Sequence, residues 1–565
     1  MSYPLTSRAI VSGIFLGVIF SFIGIYLILK IGILALGGVF LLGYLILSIT
    51  GGYDAKENAI ILTIVGATTL ASTGFIDPIA AEIIYSQYAT TGIHLTIPLL
   101  FSIILPGALL GIFVLYPFYK EFIQLRWPMV TPMAYMVKVL EKTGSEELKQ
   151  AIRGLVFSSI TSTSLMLTNT YQIDFVKGRN RYARLSFTGI TISPLYASIG
   201  FFISWLGYLF LIIGVLYSMF IWIFVEKANP YIGLQEHFFN PYIYSVAIPM
   251  MITTAILTLI TYGKKIKESI KNIQEESGRA IILSIISLIL LPGVVGLSFL
   301  INNAIPVGKL IEILEIIIIA LPIIFISAIF AVRAAGETGF STSITLDATL
   351  IITLFLISPS FESLLISFAI ISVFESMAIS FIRRVKFCSI IGVDVRDVIK
   401  AVIIGGLVGA IFGPTVFYIF HTFQGGIGSD FWPAPTAKLV GGYVLFFYIG
   451  IKERRLPPMI DVRLLIISVI LTIIIWEIFQ KKGLRGLSPI LIAMGIIIPP
   501  SFLWIASIGA FIDYWLVRKY GADKSLYARE RSKWNALLSG VMSGEGLVLF
   551  AFTIIAVIPM ILALL

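Results

Sequence analysis

The chain has 565 residues, of which 58% are hydrophobic and 12% charged, and a net charge of +10. Soluble domains carry about 25% charged residues, so this composition excludes a soluble enzyme, a nucleic-acid-binding module and a disordered scaffold. A single cysteine, Cys388, excludes intrachain disulfides and cysteine-based metal clusters; His94, His237 and His421 form no ligand-spaced pair, so no cofactor is expected.

Apolar runs long enough to span a bilayer recur along the chain, and the apolar residues suffice for at most roughly 16 helical spans. The first, Ile10–Leu29, has the length of a retained span rather than of a signal peptide. Ile31–Ile49, Asn58–Ile76, Ile97–Phe118, Leu206–Val225 and Tyr242–Tyr262 follow. Then come Ala280–Leu300, Ile311–Val332, Thr345–Ile357, Leu364–Phe381, Val398–Phe420, Leu439–Ile451, Leu464–Phe479, Phe502–Val517 and Leu537–Leu565. Asp77–Thr90, Trp127–Leu140, Leu155–Thr170, Phe187–Phe202 and Leu487–Ile498 are too short or too broken by Pro, Gly and Ser for a clear span. Such segments read as half-helices or re-entrant pieces, tolerated only where protein or water covers their backbone. The fold class expected is an all-α, polytopic integral membrane protein of about 14–16 helices and half-helices.

Basic stretches at Lys177–Arg184, Lys264–Arg279, Arg383–Lys400, Lys452–Arg463 and Arg518–Lys533 place those loops in the cytoplasm. Three candidate crossings separate the first two, where an even number is required; Phe187–Phe202, containing Ser193-Pro194, is taken not to span. The hydrophilic stretch 263–278 reads as a cytoplasmic linker helix between membrane halves 1–262 and 279–565. Ser193-Pro194-Leu195 precedes Gly200 and Gly214, and Ser488-Pro489-Ile490 precedes Gly495 and Gly509 at the same offsets. Ala55-Lys56-Glu57-Asn58 and Ala335-Gly336-Glu337-Thr338 form a second matched pair. Secondary transporters are often built from such repeats, with the site on interrupted helices.

An ionisable side chain in a bilayer is costly and faces a partner or cavity. Glu57, Glu312, Glu315, Glu337, Asp347, Glu375, Glu477 and Glu545 are the carboxylates so placed. Glu545 stands out because Gly544 and Gly546 leave room beside it. Lys309, one turn from Glu312, suggests a salt-bridged helix end there. The candidate substrate and proton site is Glu57, Asn58, Ser193, Glu337, Thr338, Glu375, Ser488 and Glu545. Asn58 and Thr338 would orient substrate by hydrogen bonds, and backbone groups freed near the two prolines could take a zwitterion.

Several of these pieces resemble, in order, the oligopeptide transporter superfamily, which includes the yellow stripe-like metal-chelate transporters. Glu57-Asn58 through Leu62-Thr63 resembles its glutamate–asparagine segment, and Trp127-Pro128 through Ala134 its proline–small-residue segment. Ser193-Pro194-Leu195-Tyr196, Ala335-Gly336-Glu337-Thr338, Ala434-Pro435-Thr436-Ala437, Met494-Gly495 with Pro499-Pro500-Ser501, and Ser543-Gly544-Glu545 complete the series. The Asn-Pro-Gly motif of the eukaryotic peptide branch is missing, since Asn229-Pro230 and Asn240-Pro241 are each followed by tyrosine. That favours the yellow stripe-like or prokaryotic branch.

The resemblance implies a proton-coupled secondary transporter in the cell membrane, importing small peptides or metal chelates. Its partners would be that substrate, protons, the lipid bilayer and, at an oligomeric level the sequence leaves open, further copies of itself. No phosphate-cradling Gly-Lys-Ser/Thr loop is present to support ATP drive, and buried carboxylates can carry protons. A passive pore is the first alternative. A membrane-embedded enzyme is the second, and it lacks a catalytic constellation.

Overall fold

The computed structural model describes residues 4–32, 52–88, 95–140, 145–168, 170, 172–174, 185–186, 189–226, 231–232, 234–271, 276–340, 359–423, 425–453, 455–484 and 487–564. The predicted runs Ile31–Ile49 and Thr345–Ile357, the basic stretch 177–184 and Asp347 lie almost wholly or wholly outside them. The principal helices are α1 (Ser7–Ile31), α2 (Ala55–Thr73), α3 (Ile76–Ile84), α4 (Ile97–Val114), α5 (Val130–Leu140) and α6 (Glu146–Thr168). Next are α7 (Pro194–Ile203), α8 (Trp205–Phe220), α9 (Pro241–Lys271), α10 (Glu276–Ile301), α11 (Val307–Thr338) and α12 (Phe361–Ile391). The last are α13 (Val395–Thr422), α14 (Pro435–Lys452), α15 (Val462–Lys481), α16 (Ile490–Ile497), α17 (Ala506–Tyr520) and α18 (Lys524–Leu564). Two short antiparallel ribbons pair 172–174 with 189–191 and 185–186 with 231–232. Twelve helical stretches among the described residues are long and apolar enough to cross a membrane. The protein is a multi-pass, all-α integral membrane protein.

Local chemistry sets the helix ends. Thr6, Asp54, Thr96, Ser193, Ser360 and Asp461 each accept a backbone N–H from the first turn of the helix they precede. Gly32, Gly339 and Gly392 end α1, α11 and α12 in the left-handed conformation that glycine adopts without steric cost. One predicted segment differs from expectation. The run Leu155–Thr170 belongs to the 23-residue helix α6, whose amphipathic first turns carry Glu146, Glu147, Lys149 and Arg153 and so hide its length from a hydropathy reading. The hydrophilic stretch after residue 262 continues α9 to Lys271 and resumes in α10 at Glu276.

Helices associate in lipid through close packing of small residues. On α13, Gly405, Gly409 and Gly413 lie against Ile64, Thr68 and Ser72 of α2; a β-carbon on Gly405 or Gly409 would sit 2.5 Å from a carbonyl oxygen of α2. Gly540 and Gly544 of α18 approach Ala151 and Leu155 of α6 in the same way. In the apolar stretches of the α2–α3 pair and of α12, 94% of residues are buried, against 22% in α15, so the first are central and the last faces lipid. Buried apolar side chains form two main cores. The larger joins α1–α5 with α9–α14; the smaller joins α7, α8, α17 and α18. Helix α16 contributes to both, through Ile490, Met494 and Ile496 on one side and Leu491 on the other.

Candidate functional site

Both Ser-Pro segments open short helices that break again within three turns. Helix α7 has ten residues and stops at Ser204, whose φ of 81° is rare for a non-glycine residue; α16 has eight and stops before Pro499. Ten residues span about 15 Å, half a bilayer core. The glycines that follow each serine make reciprocal contacts. A β-carbon on Gly200 would meet Ala506 O at 1.8 Å, and one on Gly509 would meet Ala197 O at 2.3 Å, so α7 packs on α17. One on Gly214 would meet Ile492 O, and one on Gly495 would meet Leu211 O, each at 2.0 Å, so α8 packs on α16. Each short helix thus rests on the longer helix that follows the other.

Each opening serine holds a buried glutamate. The Ser193 hydroxyl lies 2.9 and 2.8 Å from Glu545 Oε1 and Oε2 and donates to one of them at a time, while the Leu195 N–H donates to Oε2 at 2.7 Å. Ser488 donates to Glu337 Oε2 at 2.6 Å. The surroundings of the two acids differ. Glu337 Oε1 accepts from Arg333 Nε at 2.6 Å; Arg333 also donates to Thr258 at 3.0 Å and lies 5.0 Å from the Trp476 ring. Glu545, 8% exposed, forms no ion pair among the described residues. The far ends of the short helices are also matched. Arg126 donates to the Ile203 carbonyl of α7, and His237 Nε2 donates to the Ile496 and Ile497 carbonyls of α16 at 3.1 and 3.0 Å. Cationic or donor side chains suit helix C-termini, where carbonyls lack partners. Trp222 Nε1 donates to His237 Nδ1 at 2.9 Å, which fixes the proton on Nε2. Burial lowers the His237 imidazole to about 4.

Aromatic contacts link the two acid–serine pairs. Tyr196, in the first turn of α7, stacks on Phe340, just past Glu337-Thr338, with centroids 6.0 Å apart; Phe502 lies 5.5 Å from it on another side. The Trp127 N–H donates to Gly336 O at 2.7 Å, bringing the segment before α5 to the same place.

The remaining predicted residues lie elsewhere. Glu57 pairs with Arg8 and accepts from Thr6 at 2.7 Å. The neighbouring Asn58 donates to Tyr53 O at 3.3 Å while its Oδ1 is buried without a hydrogen bond. Glu375 accepts from Ser327 of α11. Thr338 donates back to Ala334 O at 2.7 Å and accepts from Phe340 N at 3.1 Å, closing the end of α11. At the other end of α11, Lys309 pairs with Glu362 at 3.4 Å while Glu312 takes Ser360 at 2.7 Å, so the expected Lys309–Glu312 bridge is replaced by partners on α12. Sequence reasoning missed Arg333, Arg126 and His237. Arg333, four residues before Glu337 on one helix face, carried a readable i,i+4 signal; the other two act across long sequence separations.

Among the described residues no group of three or more His, Cys, Asp or Glu is arranged to hold a metal ion. No curated protein matches the chain. The family model for the OPT oligopeptide transporter protein matches residues 4–556. A match over nearly the whole chain, to a helical membrane protein with interrupted helices, shows that the chain belongs to the oligopeptide transporter family.

Proposed function

We propose that the protein imports small oligopeptides across the cell membrane by proton-coupled secondary transport, with Glu545 carrying the coupling proton. The observation that carries this reading is the contrast around the two buried glutamates. Glu337 is charge-balanced by Arg333, whereas Glu545 holds the start of α7 with only neutral donors. A buried charge without a partner is expensive, and adding a proton removes it. Protonation also weakens the carboxyl as an acceptor from Leu195 N–H, loosening α18 from the start of α7. The shared packing of α16 supports a relative movement of the two cores as the alternating step. The repeat reading of halves 1–262 and 279–565 draws support from the reciprocal glycine contacts. Placement in the yellow stripe-like or prokaryotic branch rests on the missing Asn-Pro-Gly motif.

The test is uptake of labelled peptide into proteoliposomes under an inward proton gradient. The expected result is saturable accumulation above the outside concentration, and in Glu545→Gln uptake that no longer responds to the gradient. Linear, non-accumulating flux would make the protein a pore. Gradient-driven accumulation of a metal chelate with none for peptides would move the substrate class.

A further inference from the structure

Between α7 and α8 the chain turns at Ser204, whose φ of 81° and ψ of 157° fall in a backbone region that essentially only glycine adopts without cost. A side chain persists there only where its surroundings over-determine the conformation. Charged groups hold the backbone on both sides of the serine. The Ile203 carbonyl accepts from Arg126, and the Trp205 N–H donates to Asp513 Oδ2 at 3.0 Å. Asp513 Oδ1 in turn accepts from Arg531 of α18 at 2.7 Å. The Ser204 hydroxyl accepts the Gly207 N–H at 3.3 Å and so caps α8.

This break lies between two closely packed helix pairs. Helix α7 rests on α17, and α8 on α16, through the glycine contacts already described. The α8–α16 pair is further tied by His237, which accepts from Trp222 just past α8 and donates to the Ile496 and Ile497 carbonyls. Ile490, Met494 and Ile496 root that pair in the larger core. The chain passes directly from one pair to the other at Ser204, and again at 498–505, which contains Pro499 and Pro500. Asp513, on α17, reaches across the first passage to the start of α8; the Trp205 and Tyr514 rings meet beside it, 5.6 Å apart. The Tyr208 hydroxyl of α8 donates to Leu503 O at 3.0 Å across the second. Glu545 grips the other end of α7, at Ser193 and Leu195.

We propose that Ser204 is a sprung hinge about which the α7–α17 pair turns against the α8–α16 pair, and that Asp513 is its latch. The proposal rests on the relative movement of the two cores read above and gives that movement an axis. Backbone strain at Ser204 favours release. The Trp205 bond opposes it, and a carboxylate acceptor makes that bond stronger than a neutral one would. Glu545 restrains the same short helix at its start, so its protonation removes one restraint and leaves the latch as the other.

The experiment measures distances between spin labels on the protein in lipid. Cys388→Ser removes the one native thiol. Labels go in pairs on exposed positions, through Ile213→Cys on α8, Phe511→Cys on α17 and Ile411→Cys on α13 of the larger core. With Asp513 intact a single 213–511 distance is expected, any second population staying below about 10%. Asp513→Ala is expected to make a second distance the major one while 213–411 stays single, which also shows that the variant is folded. Adding Ser204→Gly, which removes the strain and as a helix cap is nearly as good as serine, is expected to restore the single 213–511 distance. An unchanged single distance in Asp513→Ala overturns the hinge and its latch. A second population undiminished by Ser204→Gly overturns the spring. Equal spreading of 213–411 and 213–511 overturns the division into two pairs. The distances do not depend on what is carried. A second population in a protein that takes up no peptide upholds the hinge and overturns the transport reading alone; peptide uptake with one distance throughout does the reverse.

Discussion

The two acid–serine pairs are built from the same parts and differ in charge balance. In both, a serine before a proline opens a broken helix and donates to a glutamate that follows a glycine. In both, a side chain with N–H donors closes the far end of that helix, Arg126 for α7 and His237 for α16. Of the two acids only Glu337 has an arginine beside it, and only its serine opens a helix that contributes to both cores. Glu545 and Ser193 lie between helices of the smaller core. The difference shows that one architecture can hold one carboxylate in an ion pair and the other with neutral donors alone.

The largest effect is expected from removing the balancing charge. Arg333→Gln leaves Glu337 buried and unpaired, and breaking a buried pair in this way costs about 3–5 kcal/mol. Thermal melting in detergent should show the loss, and the double change Arg333→Gln with Glu337→Gln should recover most of it. Equal melting of the single and double variants would mean that the pair is not a unit.

The second prediction separates the two helix ends by pH. His237 has a folded value of about 4, below the ordinary imidazole value of 6.5. The unfolded chain therefore binds the extra proton first, so the contribution of neutral His237 is fully present above about pH 6.5 and is lost as pH falls toward 4. At ~1.4 kcal/mol per unit the loss is on the order of 3 kcal/mol. Melting temperature against pH should carry this slope, and His237→Gln should flatten it. Arg126, charged throughout that range, gives the α7 end no such slope.

Third, the reciprocal glycine contacts should be of similar worth. Gly200→Ala and Gly495→Ala each place a methyl within 2.0 Å of a carbonyl oxygen, and overpacking costs about 1–3 kcal/mol. A large loss at one and none at the other would break the equivalence of the two contacts. The smallest effect is the serine contrast. Ser488→Ala leaves Glu337 its arginine and should cost ~1 kcal/mol, while Ser193→Ala removes one of the donors Glu545 has and should cost somewhat more. The same melting series checks the order.

Much of this was legible in the chain. Ser-Pro followed by glycines at matching offsets marked the broken helices, because proline disfavours helix at the residue before it and glycine admits close helix contact. Gly544 leaves room beside Glu545, and it is the backbone of α6, at Leu155, that fills it. Helix α6 stayed hidden because its first turns are charged, and hydropathy sees composition rather than partners. The Arg126 and His237 contacts at the helix ends were not legible, since each joins residues 77 or more positions apart. The division into two cores also depends on which faces meet, and no local pattern encodes that.

The central claim is that Glu545 exchanges a proton and Glu337 does not. Infrared difference spectra of the protein in lipid, taken between about pH 5 and pH 9, test it through the C=O stretch of the protonated carboxylic acid. The account predicts a protonated-carboxyl band at the acidic end that is weaker in Glu545→Gln by the contribution of one carboxyl and is unchanged in Glu337→Gln, other buried carboxyls such as Glu375 contributing alike to all three proteins. A band undiminished in Glu545→Gln and weaker in Glu337→Gln would contradict it.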